Sequence, residues 1–538
     1  MKMKRLVALG VTGLACLALV ACSSQTDSSK DTTTSSSQKE TSQTIKTASD
    51  GKYRTVITTD GEVDDMNSMI RYLYYANEMD LVGIVLTSST YHYAGDSERG
   101  IEPYRWTGTD WIYKMLDAYE QVQPNLSKHA EGYPTADELR NMTKIGNISN
   151  VGEMDEVTEG SEYLKNLFLD EDDSTLFVQT WGGTNTTARA LKSIEEEYKD
   201  TDQWDTIQQK IYDKLVLYII LDQDDSYKDY IAKSWPDLQI INDQSSFWYF
   251  AYLWQRNDAA LTTTLQADWQ KENILDNHGP LLDLYASMGD GNLIDGELEE
   301  EQRGSSDYLA ANPNYNQYDF ISEGDSPSYF YLFQNGLNDV THPEYGGWGG
   351  RFGLVSDNLY QNNQLDYNPY SKQFESQYTL TRWITDINND FATRADWGVA
   401  ENYADANHAP EATVTEGTAL TTKAGEKVSL TAEASDPDGN QVTYKWWRYF
   451  EADTYQEYKG DSQVVESTQD GLSLGWTRQL DKDEVVDPIS LSNADTNKVS
   501  FTVPEDAKSG DTLHMILEVQ DDGAHQLKAY QRVVITVE

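Results

Sequence analysis

Asp60, Asp64 and Asp65 lie within six residues in the run Thr58-Thr59-Asp60-Gly61-Glu62-Val63-Asp64-Asp65. Carboxylates crowded like this repel one another, and they are tolerated when solvated, protonated or bound to a cation. Hard oxygens so close suit a divalent ion, and a carboxylate beside such an ion can take a proton from water. The competing reading is a solvated turn whose Asp caps a helix. Val56-Ile57 before the turn is apolar, and Met66, Met69, Ile70, Leu73 and Ala76 after it recur at helical spacing. The acids therefore fall on a strand-to-helix turn. In an α/β sheet that is the carboxyl end of a strand, where ligands bind.

The elements that must position this turn follow from the hydrophobic pattern. Leu81 to Leu86, Leu176 to Gln179, Leu215 to Leu221 and Leu238 to Ile241 are short apolar runs between helical patterns. Apolar strands alternating with helices predict a mostly parallel sheet covered on both faces. Trp181-Gly182-Gly183-Thr184-Asn185 follows the run Leu176 to Gln179 and opens a helix. Residues 290–375, rich in Gly, Asn, Tyr and Asp, read as long loops with little regular structure. After Asn407-His408-Ala409-Pro410 the period becomes two: Val428, Leu430 and Ala432, then Leu513, Met515 and Leu517, then Val533, Ile535 and Val537. That predicts an antiparallel, Ig-like β-sandwich. The partition expected is an α/β domain over 51–405 and a sandwich over 406–538.

The first residues read as an address. Lys2, Lys4 and Arg5 precede an apolar run ending Leu19-Val20-Ala21-Cys22-Ser23-Ser24. This order resembles a bacterial lipobox: a leader over 1–21, cleavage before Cys22, and lipid on its sulfur. Residues 22–50 are Ser- and Thr-rich and read as a flexible tether. The expected location is the extracellular face of the cell membrane, held by the lipid anchor alone. Cys16 and Cys22 are the only cysteines, so the mature chain offers no disulfide, thiol nucleophile or Cys-bound metal. A formal charge of −49 argues against nucleic acid as a partner. The 35 Tyr and 14 Trp supply flat faces of the kind that sugar-handling proteins use, and they serve cores and interfaces equally well.

Strand, Thr-Asp-Gly-Glu-Val-Asp-Asp and helix together resemble the calcium-binding motif of the nucleoside hydrolase superfamily, whose pattern is Asp-Thr-Asp-Pro-Gly-x-Asp-Asp. Gly182-Gly183-Thr184-Asn185 is similar to that family's second hallmark, a Gly-x-x-Thr-Asn turn. Arg71-Tyr72-Leu73, Glu323-Gly324-Asp325-Ser326-Pro327 and Gly346-Gly347-Trp348-Gly349-Gly350-Arg351 look like the branch of exported bacterial proteins described as cellulose-binding, as does the trailing β-domain. The resemblance spans roughly residues 51–538. It implies a Ca2+ ion held by Asp60, Asp65, the Thr184 carbonyl and a late Asp. Asp325 is the candidate for that last ligand, with a plain helix cap as its competing reading. The resemblance further implies Asp60 as the base that activates water, and Asp64 directed to substrate hydroxyls.

Thr58 replaces the family's first Asp, and Gly61-Glu62 replaces its Pro-Gly. These departures point away from a nucleoside more than away from a metal. His92 follows the second strand and is a candidate leaving-group acid, or else a surface-loop histidine. Asn185, Trp348 and Arg351 are candidate sugar contacts, against structural readings as a cap and a stacked pair. Asp222-Gln223-Asp224-Asp225 ends another strand and either lines the same pocket or is solvated. No Gly-x-x-x-x-Gly-Lys, Gly-x-Gly-x-x-Gly or His-Glu-x-x-His occurs. The expected function is hydrolysis of a glycosidic bond by calcium-activated water, on a saccharide or glycoside. The alternative is a carbohydrate-binding lipoprotein without catalysis, and a weaker one is nucleoside salvage.

Overall fold

Strand segments buried on both faces dictate the core. In the computed structural model, which describes residues 43–455, 463–479 and 489–538, every residue of the first strand is buried. The leader, Cys22 and most of the tether lie outside the described residues. Eight strands form the main sheet: β1 (Arg54–Thr59), β2 (Asp80–Leu86), β3 (Thr143–Ile145), β4 (Leu176–Thr180), β5 (Leu215–Ile220), β6 (Gln239–Asp243), β7 (Gly353–Ser356) and β8 (Leu359–Gln361). Their order is β3-β2-β1-β4-β5-β6-β8-β7. All neighbours pair in parallel except β7 and β8.

Alternate residues along each strand feed two cores. Ile57, Ile84, Phe177 and Tyr218 face one, packed under helices Val63–Tyr74, Asp110–His129 and Ile384–Val399. Val56, Val85, Val178 and Leu217 face the other, under helices Glu159–Leu169 and Asn185–Tyr198. The chain runs outward from β1 to β3 and returns beyond β1 at β4. The crevice at the carboxyl ends of β1 and β4 is therefore a topological switch point.

The α/β reading holds, with additions. β3 and the β7–β8 hairpin are too short to show a period. Residues 290–375 are not all loop, because they hold helices Ser306–Ala311 and Ser326–Phe330 and four strands of three or four residues.

The C-terminal strands form a three-stranded sheet (Glu411–Val414, Lys427–Ser435, Lys498–Thr502) and a four-stranded sheet (Ala419–Thr422, Val442–Arg448, Thr512–Asp521, Lys528–Val537) around Leu430, Trp446, Phe501 and Leu517. The four-stranded sheet is covered on its outer face as well. Tyr530 packs edge-on to Trp383 at 6.0 Å, and Ile516 joins the core of the α/β part. A hairpin of strands Val464–Gln469 and Leu472–Gln479 leaves the sandwich and pairs with Gln373–Glu375, next to Asp366–Asn368.

Candidate active site and metal centre

The acidic turn leaves β1 at Asp60. Gly61 takes φ +77°, and a Cβ there would lie 2.7 Å from Trp111 Nε1, so glycine is required. Glu62 occupies the N-cap of helix Val63–Tyr74 but makes no capping bond. Asp64 and Asp65 follow in the first turn, where the helix dipole favours negative charge. From the opposite side, Asp325 precedes helix Ser326–Phe330, also without a side-chain capping bond. The capping reading thus fails for Asp325.

Asp64, Asp65 and Asp325 converge, each offering an oxygen within 4.8 Å of the others'. Thr59 Oγ1 donates to Asp65 Oδ1 at 2.5 Å, and the Asp60 N–H donates to the same oxygen at 3.2 Å. Asp60 and Asp325 are each 2% exposed, and one oxygen of each, Oδ2, has no partner of hydrogen-bonding geometry. Burial pushes the carboxyls of Asp64, Asp65 and Asp325 well above the ordinary range, and neighbouring carboxylates push them further. For Asp325 those neighbours are Asp65, Asp64, Asp60 and Glu62. An unpaired buried acceptor costs roughly 1–3 kcal/mol, more when charged. Buried oxygens this close, with orphaned lone pairs and mutual repulsion, fit a divalent cation.

Beside this trio is a second set. Tyr252 donates to Asp64 at 3.0 Å and also lies 3.2 Å from Glu62. Arg105 joins Glu297 at 2.5 Å, Glu301 at 3.2 Å and Glu62 at 3.5 Å. Burial raises Glu297 to about 7 against the pull of Arg105 and Arg303. His92 is fully buried, with Nε2 3.9 Å from Glu62, and neither ring nitrogen meets hydrogen-bond geometry. Burial lowers its pKa, partly offset by Asp60. Burial raises Asp60, with His92 pulling down and Glu62 pushing up.

Thus the structure gathers Asp60, Asp64, Asp65, Asp325 and His92, and His92 is not a surface-loop residue. In the tight trio Asp64 stands where Asp60 was expected, and Asp60 adjoins it through Asp65. The Thr184 hydroxyl turns to Ser226 at 2.6 Å, and its carbonyl accepts the Ala188 N–H.

Three expected sugar contacts are corrected. Asn185 is wholly buried. Its amide donates to Ser88 and to the carbonyls of Asn147 and Glu153, and it accepts from Thr87, so the side chain braces the loops. Arg351 is buried against Asp366 at 2.6 Å and donates to the Glu344 and Glu451 carbonyls. Trp348 packs edge-on to Phe333 and Tyr530. Both serve the contact between the α/β part and the sandwich.

Arg105, Tyr252, Glu297 and Glu301 were not foreseen. They come from irregular segments, and Glu62, the acid that departs from the family pattern, was the one pointer to a charged partner there.

Residues 54–352 match the family model described as the nucleoside hydrolase-like domain of cellulose-binding Sde182, and residues 427–537 match the C-terminal domain of cellulose-binding protein Sde0182. No curated protein sequence matches the chain. Among solved structures, the chain is similar to a nucleoside hydrolase-related hypothetical protein from Saccharophagus degradans, described as associated with carbohydrate metabolism. The two are 27% identical over 91% of this chain and 100% of that one, with a TM-score of 0.64. Fainter likenesses, with TM-scores of 0.26, are to a plant nucleoside hydrolase (10% identical, 59% of this chain and 90% of that one) and to an inosine-guanosine nucleoside hydrolase (11% identical, 53% and 80%). They are too distant for residue roles to be carried over.

Proposed function

Because the chain belongs to the cellulose-binding Sde182 family, nucleoside hydrolase-like over residues 54–352, we propose that it hydrolyses a glycosidic bond of a saccharide at the Asp60–Asp65 turn. The carrying observation is the convergence of Asp64, Asp65 and Asp325 beside an Asp60 oxygen that has no partner. A divalent cation such as Ca2+ would be held by these three carboxylates, with the Thr184 carbonyl as the further ligand the superfamily pattern implies, and would supply positive charge that keeps the acids ionised and makes nearby water more acidic.

Asp60 is the base. Its Oδ2 takes a proton from water as the water oxygen bonds to the anomeric carbon and the bond from that carbon to the leaving oxygen breaks. The leaving oxygen needs a proton in return. His92, beside Asp60 and Glu62, is the group placed to deliver one once protonated. The neighbouring carboxylates favour the positive charge that develops on the sugar ring. Arg105 holds Glu62 and Glu297 in place, and Tyr252 orients Asp64 by its hydrogen bond. Cys22, as the lipidated residue, would hold the enzyme on the outer face of the membrane.

The rival reading, carbohydrate binding without catalysis, is favoured by the description of the family and by Thr58, whose hydroxyl is buried and unpartnered where the superfamily pattern has Asp. A panel of cello-, xylo- and mixed-linkage oligosaccharides with inosine, assayed for released reducing sugar in Ca2+, separates the readings. Turnover of a saccharide supports hydrolysis. Binding with no release from any member transfers the case to the rival. Release from inosine alone restores the nucleoside.

A further inference from the structure

A cavity of about 580 Å³ lies at the carboxyl ends of β5 and β6, next to the acidic centre. We propose that it is an oligosaccharide subsite whose roof is the β-hairpin Val464–Gln479 lent by the C-terminal module, so that the sandwich completes the site. The proposal deepens the saccharide reading above and rests on it.

The floor is the end of β5. Leu221, Asp222, Gln223 and Asp225 line it, and Thr90 and Tyr91 come from the loop after β2. Across from them stand Glu466, Thr468 and the hairpin residues Gly471 to Ser473. The hairpin is docked rather than loose. Its second strand pairs with Gln373–Glu375, Tyr249 donates to the Leu474 carbonyl at 3.0 Å, and Arg256 donates to Gln469 at 2.8 Å. Asp470 (φ 53°) and Gly471 (φ 87°) make the tight turn that brings its tip over the cavity. The floor is strained to match. Leu221 and Asp225 both hold positive φ, at 59° and 60°, a conformation that costs a bulky Leu free energy and that clusters at ligand sites.

The lining chemistry selects the ligand. Carboxylates, amides and hydroxyls dominate, and among the described residues that line it there is no Lys or Arg. Such walls reject phosphate, nucleotides and acidic sugars, and they match the vicinal hydroxyls of a neutral sugar. Leu472, Val151 and the Tyr91 ring add apolar faces of the kind a pyranose covers. The volume lies within the range of about 300–1,000 Å³ usual for small-ligand sites.

Two contacts join the cavity to the acids. Gln223 donates to the Trp181 carbonyl at 2.5 Å, and the next residue, Gly182, lies so close to Asp60 that a Cβ would come within 2.9 Å of the Asp60 Cβ. Tyr91 lines the cavity, and burial followed by the charges of Glu62, Asp60 and Asp64 raises its hydroxyl's pKa. A chain extending from the acidic centre past Tyr91 enters the space under the hairpin.

The test is calorimetric titration of the full chain with cellotetraose and xylotetraose, with inosine as the nucleoside control. Ser473→Trp fills the space and Glu466→Ala removes a wall group on the partner strand, and each is checked by near-UV circular dichroism. The expected result is saturable saccharide binding that falls roughly tenfold or more in at least one folded hairpin variant and persists in Asp60→Asn. Saccharide binding at wild-type strength in both variants overturns the subsite and leaves the saccharide reading standing. No binding of either tetrasaccharide overturns both.

Discussion

Arg71 grips Glu323 with two bonds, Nε to Oε2 at 2.5 Å and Nη2 to Oε1 at 2.9 Å, with both side chains buried. Arg71 belongs to the helix that carries Asp64 and Asp65, and Glu323 lies two residues before Asp325. The pair fixes the distance between the two halves of the acidic trio. Removing one partner of a buried charge pair costs about 3–5 kcal/mol. Arg71→Ala should lower stability by about that much in denaturant titrations and abolish any cation-dependent stabilisation. Arg71→Lys, which cannot form both bonds, should retain the fold with weakened cation binding.

The cation itself is testable by melting. Ca2+ at 100-fold over its Kd should add about 2.7 kcal/mol to stability, and EDTA should remove it. Asp65→Ala and Asp325→Asn should each erase the Ca2+-dependent shift in Tm. A wild-type Tm indifferent to Ca2+, Mg2+ and EDTA would sink the metal centre.

Gly324 offers a finer probe. A Cβ there would lie 2.5 Å from Asp64 Oδ2, and the φ of Gly324 is not in the left-handed region, so Gly324→Ala displaces the carboxylate rather than the backbone. We expect Ca2+ affinity to drop by about tenfold or more, with a Tm in EDTA close to wild type. Equal Ca2+ affinity in Gly324→Ala would show that Asp64 is no ligand.

Asp396 sets an acid limit away from the site. Burial alone would raise its carboxyl, yet hydrogen bonds from His278 (3.2 Å) and His525 (3.0 Å) outweigh it and hold the pKa at about 2, below the ordinary 3.8. A depressed carboxyl stabilises the fold above its unfolded pKa, and the contribution fades as pH falls from about 4 to about 2. The Tm gap between wild type and Asp396→Asn should be widest near neutrality and close over that window. A gap independent of pH would show that the ionised carboxylate is not what the histidines bind.

The α/β alternation and the two hallmark turns were legible because strand burial, helix period and Gly-Gly-Thr-Asn punctuation act locally. Asp325 was legible too, since Ser326-Pro327 announces a helix start. Other features depend on contacts that carry no period. Leu513, Met515 and Leu517 alternate as a half-exposed strand should, yet Thr512–Asp521 is buried on both faces because the sandwich docks on the α/β part. Trp348 and Arg351, expected as sugar contacts, sit among glycines whose neighbours no period announces. Gly346, at φ +81°, makes room for the Arg351 side chain, and a Cβ at Gly349 would meet the Tyr331 backbone at 2.6 Å. Arg105, Tyr252 and Glu297 reach the site from separate loops, and only the folded chain brings them to Glu62.

The central claim, that Asp60 is the base of a glycosidic hydrolysis, is tested most directly by comparing turnover and affinity in Asp60→Asn on a saccharide that the wild type cleaves. The account predicts a fall in kcat of about 10²–10⁴-fold with oligosaccharide affinity within a few-fold of wild type. An Asp60→Asn protein that releases reducing sugar at the wild-type rate would contradict it.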